Sequence, residues 1–274
     1  MSTITNGPVS LHVADSGGDG RPVVLIHGWP LSAASWSEQV PALTGAGYRV
    51  VAYDRRGFGR SDQPGTDCTY DYDTLTSDLD TVLRELDLRD VTLVGFSMGG
   101  GEVARYIGTH GEGRVRSAVF AAAIPPCLKQ DDEHPDGALD DATVEGMQAG
   151  LAQDPPGFFD QFTRNFFSAD GDLKVTEAQR QEAVALAEQA DLHAGVQCIR
   201  SWVEDFTADL AKVTVPTLVI HGDADAIVPI EKSGQRTHEQ VAGSELHVVA
   251  DGPHGINVSH ADEFNRVLLA FLAR

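Results

Sequence analysis

Cysteine is scarce in this sequence, which has Cys68, Cys127 and Cys198 among 274 residues. Their number is odd and they lie far apart, which argues against the disulfide framework of a small secreted domain. None of them belongs to a C-x-x-C pair or has the spacing of a metal-binding motif. This pattern is typical of reduced thiols in a cytoplasmic protein.

Basic residues are also few, because 20 Lys and Arg stand against 41 Asp and Glu, which gives a net charge of −21. A negative potential of this size repels nucleic acid phosphates and anionic lipid headgroups. We therefore expect neither nucleic acid nor a membrane surface among the partners.

Long hydrophobic runs are missing as well. No apolar segment is long enough to span a bilayer. Residues 1–20 lack the basic region and apolar core of a secretory signal. With 42% apolar residues, the 274-residue chain can bury the core of one α/β domain that carries an insertion. These observations favour a cytoplasmic globular protein.

The most informative stretch is Val91–Gly101, which reads V-T-L-V-G-F-S-M-G-G-G. Its apolar first half predicts a buried parallel strand, and a helical composition follows the glycines. Gly95-Phe96-Ser97-Met98-Gly99 between them fits G-x-S-x-G, the strained strand-to-helix turn that exposes a nucleophilic serine. Glycines two residues before and after Ser97 avoid a collision within so tight a turn. We therefore predict Ser97 as a nucleophile.

Short apolar runs alternate with helical segments up to residue 124 and again after residue 212, which predicts right-handed crossovers and a parallel sheet. The last helix is expected to be capped by Ser259 and Asp262, and the second predicted helix by Asp73. The predicted strands are Val9–Ala14 at an edge, Val23–Ile26, Tyr48–Tyr53, Val91–Phe96, Ala118–Ile124, Pro216–Ile220 and Glu245–Val249, and the first two predicted helices are Ser32–Leu43 and Asp73–Leu88.

The alternation stops at Pro125-Pro126, and residues 125–212 contain helical stretches without a clear strand. We interpret this part as a helical cap inserted into the core domain formed by residues 1–124 and 213–274. Gly157–Phe167 carries five phenylalanines. They are expected to form the core of the cap, with one or two rings lining an acyl pocket as the alternative.

A serine nucleophile needs a base within hydrogen-bond reach, and the base needs an acid on its other nitrogen. His254 follows the last predicted strand and suits the base. Two residues, Asp223 and Asp225, are candidates for the acid, and we favour Asp225 because it lies deeper in its loop. Asp223 is expected to bond to the loop backbone.

Backbone N–H groups of Trp29 and Met98 suit an oxyanion hole, because Trp29 follows a strand and Met98 opens a helix. The side chain of His27 is expected to brace that loop. Asp54–Asp62, with its arginines and a pair of acids, is interpreted as a salt-bridged structural corner.

Several of these stretches together resemble the cofactor-free bacterial haloperoxidase, perhydrolase and aryl esterase family of α/β-hydrolases. The resemblance covers nearly the whole chain and is weakest in residues 125–212. It implies a mostly parallel eight-stranded sheet flanked by helices, with an inserted helical cap. The matching motifs are H-G-W-P-L-S (His27–Ser32), D-R-R-G-F-G-R-S-D-Q-P (Asp54–Pro64), V-T-L-V-G-F-S-M-G-G-G-E-V-A-R-Y (Val91–Tyr106), V-P-T-L-V-I-H-G-D-A-D-A-I-V-P (Val215–Pro229) and G-P-H-G (Gly252–Gly255).

The same resemblance implies that Ser97, His254 and Asp225 form a catalytic triad and that Trp29 and Met98 supply the oxyanion hole. It implies hydrolysis of small esters or short carboxylic acids, with hydrogen peroxide able to replace water at the acyl-enzyme and the peracid oxidising halide, without haem, metal or another cofactor. Rings or dimers of identical chains are common in that family, so a homo-oligomer is one assembly that the resemblance allows.

Pro30 bears on the peroxide chemistry, because peroxide-using members resemble this chain in having Trp-Pro at this point. Proline restricts its own φ and the residue before it. Our hypothesis is that Pro30 sets the Trp29 carbonyl where it accepts a hydrogen bond from peroxide. Two other functions stay open from the sequence, namely a lactamase for a compact γ-lactam and a non-catalytic ligand receptor of the same fold.

Overall fold

A computed structural model describes residues 2–274 and contains one eight-stranded sheet and one two-stranded hairpin in that range. Apolar runs become buried strands as the sequence predicts, and all six residues of the strand before Ser97 are buried. The strands are β1 (Ser2–Asn6), β2 (Val9–Asp15), β3 (Pro22–Ile26), β4 (Arg49–Tyr53), β5 (Val91–Phe96), β6 (Val115–Ala121), the hairpin strands β7 (Ser168–Ala169) and β8 (Asp172–Leu173), β9 (Thr217–Gly222) and β10 (Glu245–Val249).

The sheet has the order β1-β2-β4-β3-β5-β6-β9-β10. β2 is antiparallel to both β1 and β4, and the other pairs are parallel. Ile26 of β3 pairs with Gly95 of β5, which in turn pairs with Phe120 of β6. The carboxyl ends of these three strands therefore lie level at one edge, where a parallel α/β sheet places its ligands.

Helices cover the sheet and also fill the segment between β6 and β9. α2 buries Leu75, Leu79 and Val82 along one stripe, as an amphipathic helix should. The helices are α1 (Gln39–Gly45), α2 (Tyr72–Glu85), α3 (Met98–His110), α4 (Asp141–Gln153), α5 (Pro155–Phe167), α6 (Glu177–Ala187), α7 (Leu192–Ser201), α8 (Thr207–Leu210), α9 (Gly234–Gln240), α10 (Ile256–Ser259) and α11 (Ala261–Leu272).

Residues 125–212, which we call the inserted segment, contain α4 to α8 and the short β7–β8 hairpin. Four of the five phenylalanines in α5 are buried, and Phe158 is half-buried. The hairpin is a small departure from the expectation of helices alone. Its two strands have two residues each, too few to leave a periodic signal in the sequence.

Several predicted boundaries are wrong. β1 lies outside β2, so the strand expected at the edge has a neighbour on both sides. β1 was not predicted because its sequence, S-T-I-T-N, has a single apolar residue and therefore no apolar run or alternation. The stretch predicted as the helix Ser32–Leu43 forms a 3₁₀ turn at Ala33–Trp36 and then α1. The strand expected at Ala118–Ile124 starts and ends three residues earlier.

Two predicted helix caps are also wrong. α2 is capped by Asp71, whose side chain accepts from Thr74 N, and Asp73 lies inside the first turn. α11 follows His260 directly and its N-cap position makes no side-chain hydrogen bond, so neither Ser259 nor Asp262 caps it.

Within residues 2–274, no helix has the length and apolarity that crossing a membrane requires.

Candidate active site

The turn between β5 and α3 holds Ser97 in an unusual backbone conformation, with φ 54° and ψ −118°. A positive φ is strained for a residue with a side chain. The two flanking glycines make the turn possible, because a Cβ on Gly95 would lie 2.4 Å from Gly99 O and one on Gly99 would lie 2.4 Å from Ile26 O. The local sequence therefore fixes the serine above the carboxyl edge of β5.

Ser97, His254 and Asp225 are brought into contact from three distant parts of the chain. His254 Nε2 lies 2.9 Å from Ser97 Oγ, and His254 Nδ1 lies 2.7 Å from Asp225 Oδ2. His254 is fully buried, whereas Ser97 keeps 7% of its surface exposed. The Phe166 ring lies 4.8 Å from the imidazole, and Phe166 O accepts from Gly255 N at 2.8 Å. α5 of the inserted segment thus supports the histidine.

The Asp225 carboxylate is bonded on both oxygens. Oδ1 accepts from the backbone N–H groups of Ile227 and Val228 at 2.9 and 2.8 Å. Oδ2 lies 3.2 Å from Nε2 of a second buried histidine, His221. Burial alone would raise the pKa of Asp225, but the His254 charge and the hydrogen bonds from both histidines outweigh it and hold that pKa well below its usual range. The carboxylate is therefore ionised at neutral pH.

His221 is the residue of this site that the sequence did not reveal. Its Nε2 also lies 2.8 Å from Val228 O, and its Nδ1 is buried without a hydrogen-bond partner among the described residues. Asp223, the other candidate acid, is exposed and its N–H bonds to Val249 O. His221 is the penultimate residue of β9 and lies four residues before Asp225, and no local pattern in the sequence sets it apart as a partner of that carboxylate.

The loop after β3 lies directly against the nucleophile. A Cβ on Gly28 would lie 3.1 Å from Ser97 Cβ, so the Gly28 backbone packs on the serine and Trp29 follows it. Met98 is the first residue of α3, where a backbone N–H has no acceptor within its own helix. The Met98 N–H is therefore free of a helical acceptor next to Ser97, and Trp29 directly follows the backbone that packs on the serine.

A network of buried charged side chains supports the loop after β3, which carries His27 and Trp29. The Arg55 guanidinium donates to His27 O at 2.7 Å and pairs with Glu102 of α3, and neither charged side chain is exposed beyond 1%. Burial and the nearby Arg55 charge hold the pKa of His27 well below its usual value. Neutral His27 accepts from Arg55 N at 3.0 Å through Nε2 and bonds Gly28 O at 2.9 Å through Nδ1. The expected bracing role of His27 thus has a defined set of contacts.

Ser97 opens into a cavity of about 310 Å³ between the sheet edge and the inserted segment. The Trp29 ring contacts Phe162 and Trp202 edge-on, at 5.0 and 4.8 Å. No Lys, Arg, Asp or Glu lines the cavity among the residues that the structure describes. The lining residues are Trp29, Ser97, Ile124, Leu128, Leu139, Met147, Phe158, Gln161, Phe162, Asn165, Trp202, Ala226, Ile227 and Val228.

Both readings of the aromatic stripe therefore hold, because Phe159, Phe166 and Phe167 are buried core residues while Phe158 and Phe162 line the cavity. The corner at Asp54–Asp62 is salt-bridged as expected, but its arginines pair with acids outside it, Arg55 with Glu102 and Arg56 with Asp78.

Within residues 2–274, one group of potential metal ligands has its ligand atoms within 4.8 Å of one another: Cys127, His134 and Asp205. This group does not include Ser97, His254 or Asp225. His134 Nδ1 already bonds Asp131 at 2.9 Å, and its Nε2 lies 3.6 Å from Asp205 Oδ2. Both ring nitrogens of His134 therefore lie against carboxylates.

The fold and this arrangement define a class of protein. The model of the alpha/beta hydrolase fold family matches residues 21–261, and the chain belongs to that family. It is an α/β-hydrolase with the serine turn and the histidine loop at the expected strand ends.

Particular relatives narrow the class. The chain is 45% identical to a non-heme chloroperoxidase of Kitasatospora aureofaciens, covering 93% of each chain, and 33% identical to a bifunctional esterase/perhydrolase of Acinetobacter calcoaceticus, covering 98% of each. The crystal structure of a bromoperoxidase from Bacillus anthracis superposes with a TM-score of 0.96 at 50% identity, covering 100% of this chain and 99% of that one. Within the fold family, the chain belongs with the non-heme haloperoxidases, perhydrolases and esterases.

Proposed function

We propose that this α/β-hydrolase is a serine esterase and perhydrolase in which Ser97 is the nucleophile, His254 the general base and Asp225 the orienting acid. The observation that carries the proposal is the continuous contact from Ser97 Oγ through His254 to Asp225, with steps of 2.9 and 2.7 Å. It lies at the mouth of an apolar cavity. A serine hydroxyl needs such a base at neutral pH, and the base needs such an acceptor.

In the proposed reaction, His254 Nε2 takes the Ser97 proton as Oγ attacks the carbonyl carbon of the substrate. Trp29 and Met98 N–H groups bind the oxyanion that forms, and His254 returns the proton to the leaving alcohol. Asp225 holds the imidazole through Nδ1 and stabilises its charged form. Water, activated by His254, then attacks the acyl-enzyme and releases a carboxylic acid.

Hydrogen peroxide can replace water in the second half of this cycle and releases a peracid instead of the acid. The names of the relatives support this step, because one is called a bifunctional esterase/perhydrolase and another a non-heme chloroperoxidase. A peracid oxidises halide in solution, so haloperoxidase activity requires no metal at Ser97. The substrate class is small esters and short carboxylic acids with an apolar acyl group.

The inserted segment is proposed to act as a cap that selects the acyl group. It supplies most of the apolar wall opposite the sheet, with Leu139, Met147, Phe158 and Phe162 among its contributions. Residues 1–124 and 213–274 are proposed as the core domain that carries Ser97 and His254.

The proposed setting is the cytoplasm, with small molecules as partners and no nucleic acid or membrane. Three unpaired cysteines and a net charge of −21 support this view. Assembly into a homo-oligomer stays a prediction.

Ser97→Ala tests the nucleophile. The variant should keep the thermal stability of the wild type and lose p-nitrophenyl acetate turnover to below about 1%, because loss of a serine nucleophile costs on the order of 10⁶-fold in kcat. His260→Ala is a matched control, since His260 bonds Ser259 on the last turn before α11. Activity of Ser97→Ala above a few percent of wild type would rule out the proposed nucleophile.

Two rival functions, a lactamase and a non-catalytic ligand receptor, predict different results for the wild-type protein. A lactamase would open a compact γ-lactam faster than it hydrolyses the acetate ester. A ligand receptor would turn over slowly and accumulate a stable adduct detectable by mass spectrometry. The relatives above are named as enzymes that act on esters or halide, which does not favour either rival.

Pro30→Leu tests the peroxide step separately from hydrolysis. If Pro30 sets the Trp29 carbonyl to accept a hydrogen bond from peroxide, the ratio of perhydrolysis to hydrolysis should fall by about tenfold, the equivalent of one hydrogen bond of about 1.4 kcal/mol. The measurement is peracid and acetate formed from one ester at fixed peroxide. An unchanged ratio with normal hydrolysis would contradict this role of Pro30.

A further inference from the structure

Met147 places a thioether in the wall of the Ser97 cavity. It lies on α4 and is half-buried. Val144 and Leu151, one turn on either side, are fully buried, so Met147 belongs to the inward face of the helix. Gln148 Nε2 donates to Val196 O at 2.9 Å and holds α4 against α7. The packing thus keeps the Met147 side chain at the cavity that Ser97 opens into.

Other sulfur atoms of residues 2–274 are less suited to meet a product of that cavity. Met98 is fully buried. Cys198 is also buried, and burial raises its pKa to about 12. Burial raises the pKa of Cys127 as well, so both thiols stay in the less nucleophilic protonated form. Cys68 is half-buried away from this cavity. Met147 is the one sulfur-bearing residue among the described residues that line the cavity.

We propose that Met147 is a modification site, at which the enzyme oxidises its own substrate pocket during perhydrolysis. The Met147 sulfur lone pair attacks the terminal peroxy oxygen of the peracid. The O–O bond breaks, the proton of the terminal peroxy oxygen passes to the carbonyl oxygen of the departing carboxylate, which leaves as the carboxylic acid, and the thioether becomes a sulfoxide. Sulfur is oxidised by two electrons and the peracid is reduced by two. This inference rests on the proposed function, because the peracid comes from the Ser97 acyl-enzyme.

Oxidation at this position changes the pocket in a defined way. A sulfoxide replaces a flexible apolar side chain with a polar one. The cavity wall is mainly apolar, so the new oxygen has few partners and binding of an apolar acyl group weakens. Methionine sulfoxide is reducible by cellular reductases, so the change is a reversible brake set by the amount of peracid made.

The first experiment follows Met147 and Met98 by peptide mass spectrometry after incubation with acetate and hydrogen peroxide without halide. Peracid is measured in parallel. In wild-type enzyme, the Met147 peptide should gain one oxygen while the Met98 peptide stays reduced. Wild type with peroxide alone, and Ser97→Ala with peroxide and acetate, should both leave Met147 reduced.

Equal oxidation of Met147 in Ser97→Ala would overturn the inference, because free peroxide would then be the oxidant. If peracid accumulates while Met147 stays reduced, the inference fails and the proposed function stands. If the wild type makes no peracid, the proposed function itself fails and the inference falls with it.

A second variant separates oxidation in the cavity from oxidation by peracid released into solution. Leu192 is 43% exposed and does not line the cavity, so Leu192→Met adds a thioether in solvent. Peracid formed at Ser97 should oxidise Met147 before that added thioether, whereas preformed peracetic acid added to the same variant should reverse the order. If the added methionine at position 192 is oxidised before Met147 in both experiments, the peracid acts from solution and the proposed oxidation within the cavity is contradicted.

The functional consequence is tested with Met147→Leu, whose rate is always compared with its own initial rate. Wild type should lose esterase activity in proportion to its Met147 sulfoxide fraction, mainly through a rise in KM. Met147→Leu should lose less of its esterase activity than wild type for the same amount of peracid formed. An identical decline in both proteins would show that Met147 oxidation is not what slows the enzyme.

Discussion

The Asp225 carboxylate is held by two backbone N–H groups and two histidines, whereas Asp223, two residues earlier, is exposed. An aspartate in such a set of contacts fixes which nitrogen of His254 carries the proton. The nearby Asp223 has the same chemistry without these contacts. Comparing substitutions of Asp225 and Asp223 therefore distinguishes the contribution of the contacts around Asp225 from that of a negative charge in this loop.

Asp225→Asn should lower kcat by about 10³- to 10⁴-fold, because the amide favours the wrong imidazole tautomer. Asp223→Asn, which removes the same charge from the same loop, should stay within about twofold of wild type. Steady-state kinetics on p-nitrophenyl acetate measure both. A large loss in Asp223→Asn with an active Asp225→Asn would reverse the assignment.

The pH dependence of stability provides a second readout for Asp225. Its pKa is lowered in the folded state, so its ionised form stabilises the fold above the ordinary aspartate pKa of about 3.9 and the contribution is lost as pH falls toward the folded value. The Tm difference between wild type and Asp225→Asn should stay constant above about pH 5 and narrow below it. A difference that grows on acidification would mean that the folded pKa is raised.

At the residue level, the sequence could single out Ser97, His254 and Asp225 because each follows an apolar strand within a loop of glycine or turn residues. Their contact was predicted and the structure contains it, and their catalytic roles stay proposals. His221 could not be found in this way. Its relation to Asp225 depends on the backbone turn that brings Val228 O to its Nε2, which no local pattern announces.

At the level of elements, α3 is tied to the loop after β4 by the buried pair of Glu102 and Arg55. Tyr53 OH also donates to Glu102, and Arg55 donates to His27 O beside the nucleophile. The helix that begins at the nucleophile turn and the loop that carries Trp29 therefore share one charged network. Loss of either charge leaves the other buried without its partner.

Glu102→Gln should lower the free energy of unfolding by about 3 to 5 kcal/mol, the usual cost of breaking a buried ion pair from one side. Arg200→Gln is the control, because its pair with Asp141 is more than half exposed on both sides and should contribute no more than about 1 kcal/mol. Urea denaturation measures both. Equal losses would mean that burial does not set the strength of the Glu102 pair.

Elements were predictable where their sequences contain a run or a stripe of apolar residues. β5 and the stripe of α2 were predicted, and so was β10, whose sequence E-L-H-V-V has three apolar residues although only Val249 is buried, while β1, with one apolar residue in S-T-I-T-N, was missed. Helix ends were less certain, since Asp71 and Asp73 both suit an N-cap and only the backbone of Asp71 is extended. The cavity was not predictable, because its wall comes from segments as far apart as Trp29, Phe162 and Val228.

At the level of the whole molecule, the acidic charge is too large for local pairing to neutralise. With 41 acidic and 20 basic side chains, 21 negative charges remain even if every Lys and Arg pairs with one acid. Self-repulsion of this kind opposes the compact state and repels anionic ligands over the range of a Debye length. The apolar cavity, whose described lining residues have no charged side chain, cannot offset the repulsion locally.

Added salt should therefore raise both the thermal stability of the protein and its affinity for anionic ester substrates. Between about 0.01 and 0.15 M monovalent salt, the Debye length falls from roughly 30 to 8 Å. Over this range we expect Tm to rise and the KM for an anionic substrate, a half-ester of a dicarboxylic acid, to fall. The KM for the neutral p-nitrophenyl acetate should stay within about twofold, because no long-range charge interaction contributes to its binding. Salt weakens surface ion pairs at the same time, so a falling Tm would show that those pairs outweigh the repulsion among unpaired acids. Equal salt effects on the two substrates would place the dependence in the fold instead of in substrate approach.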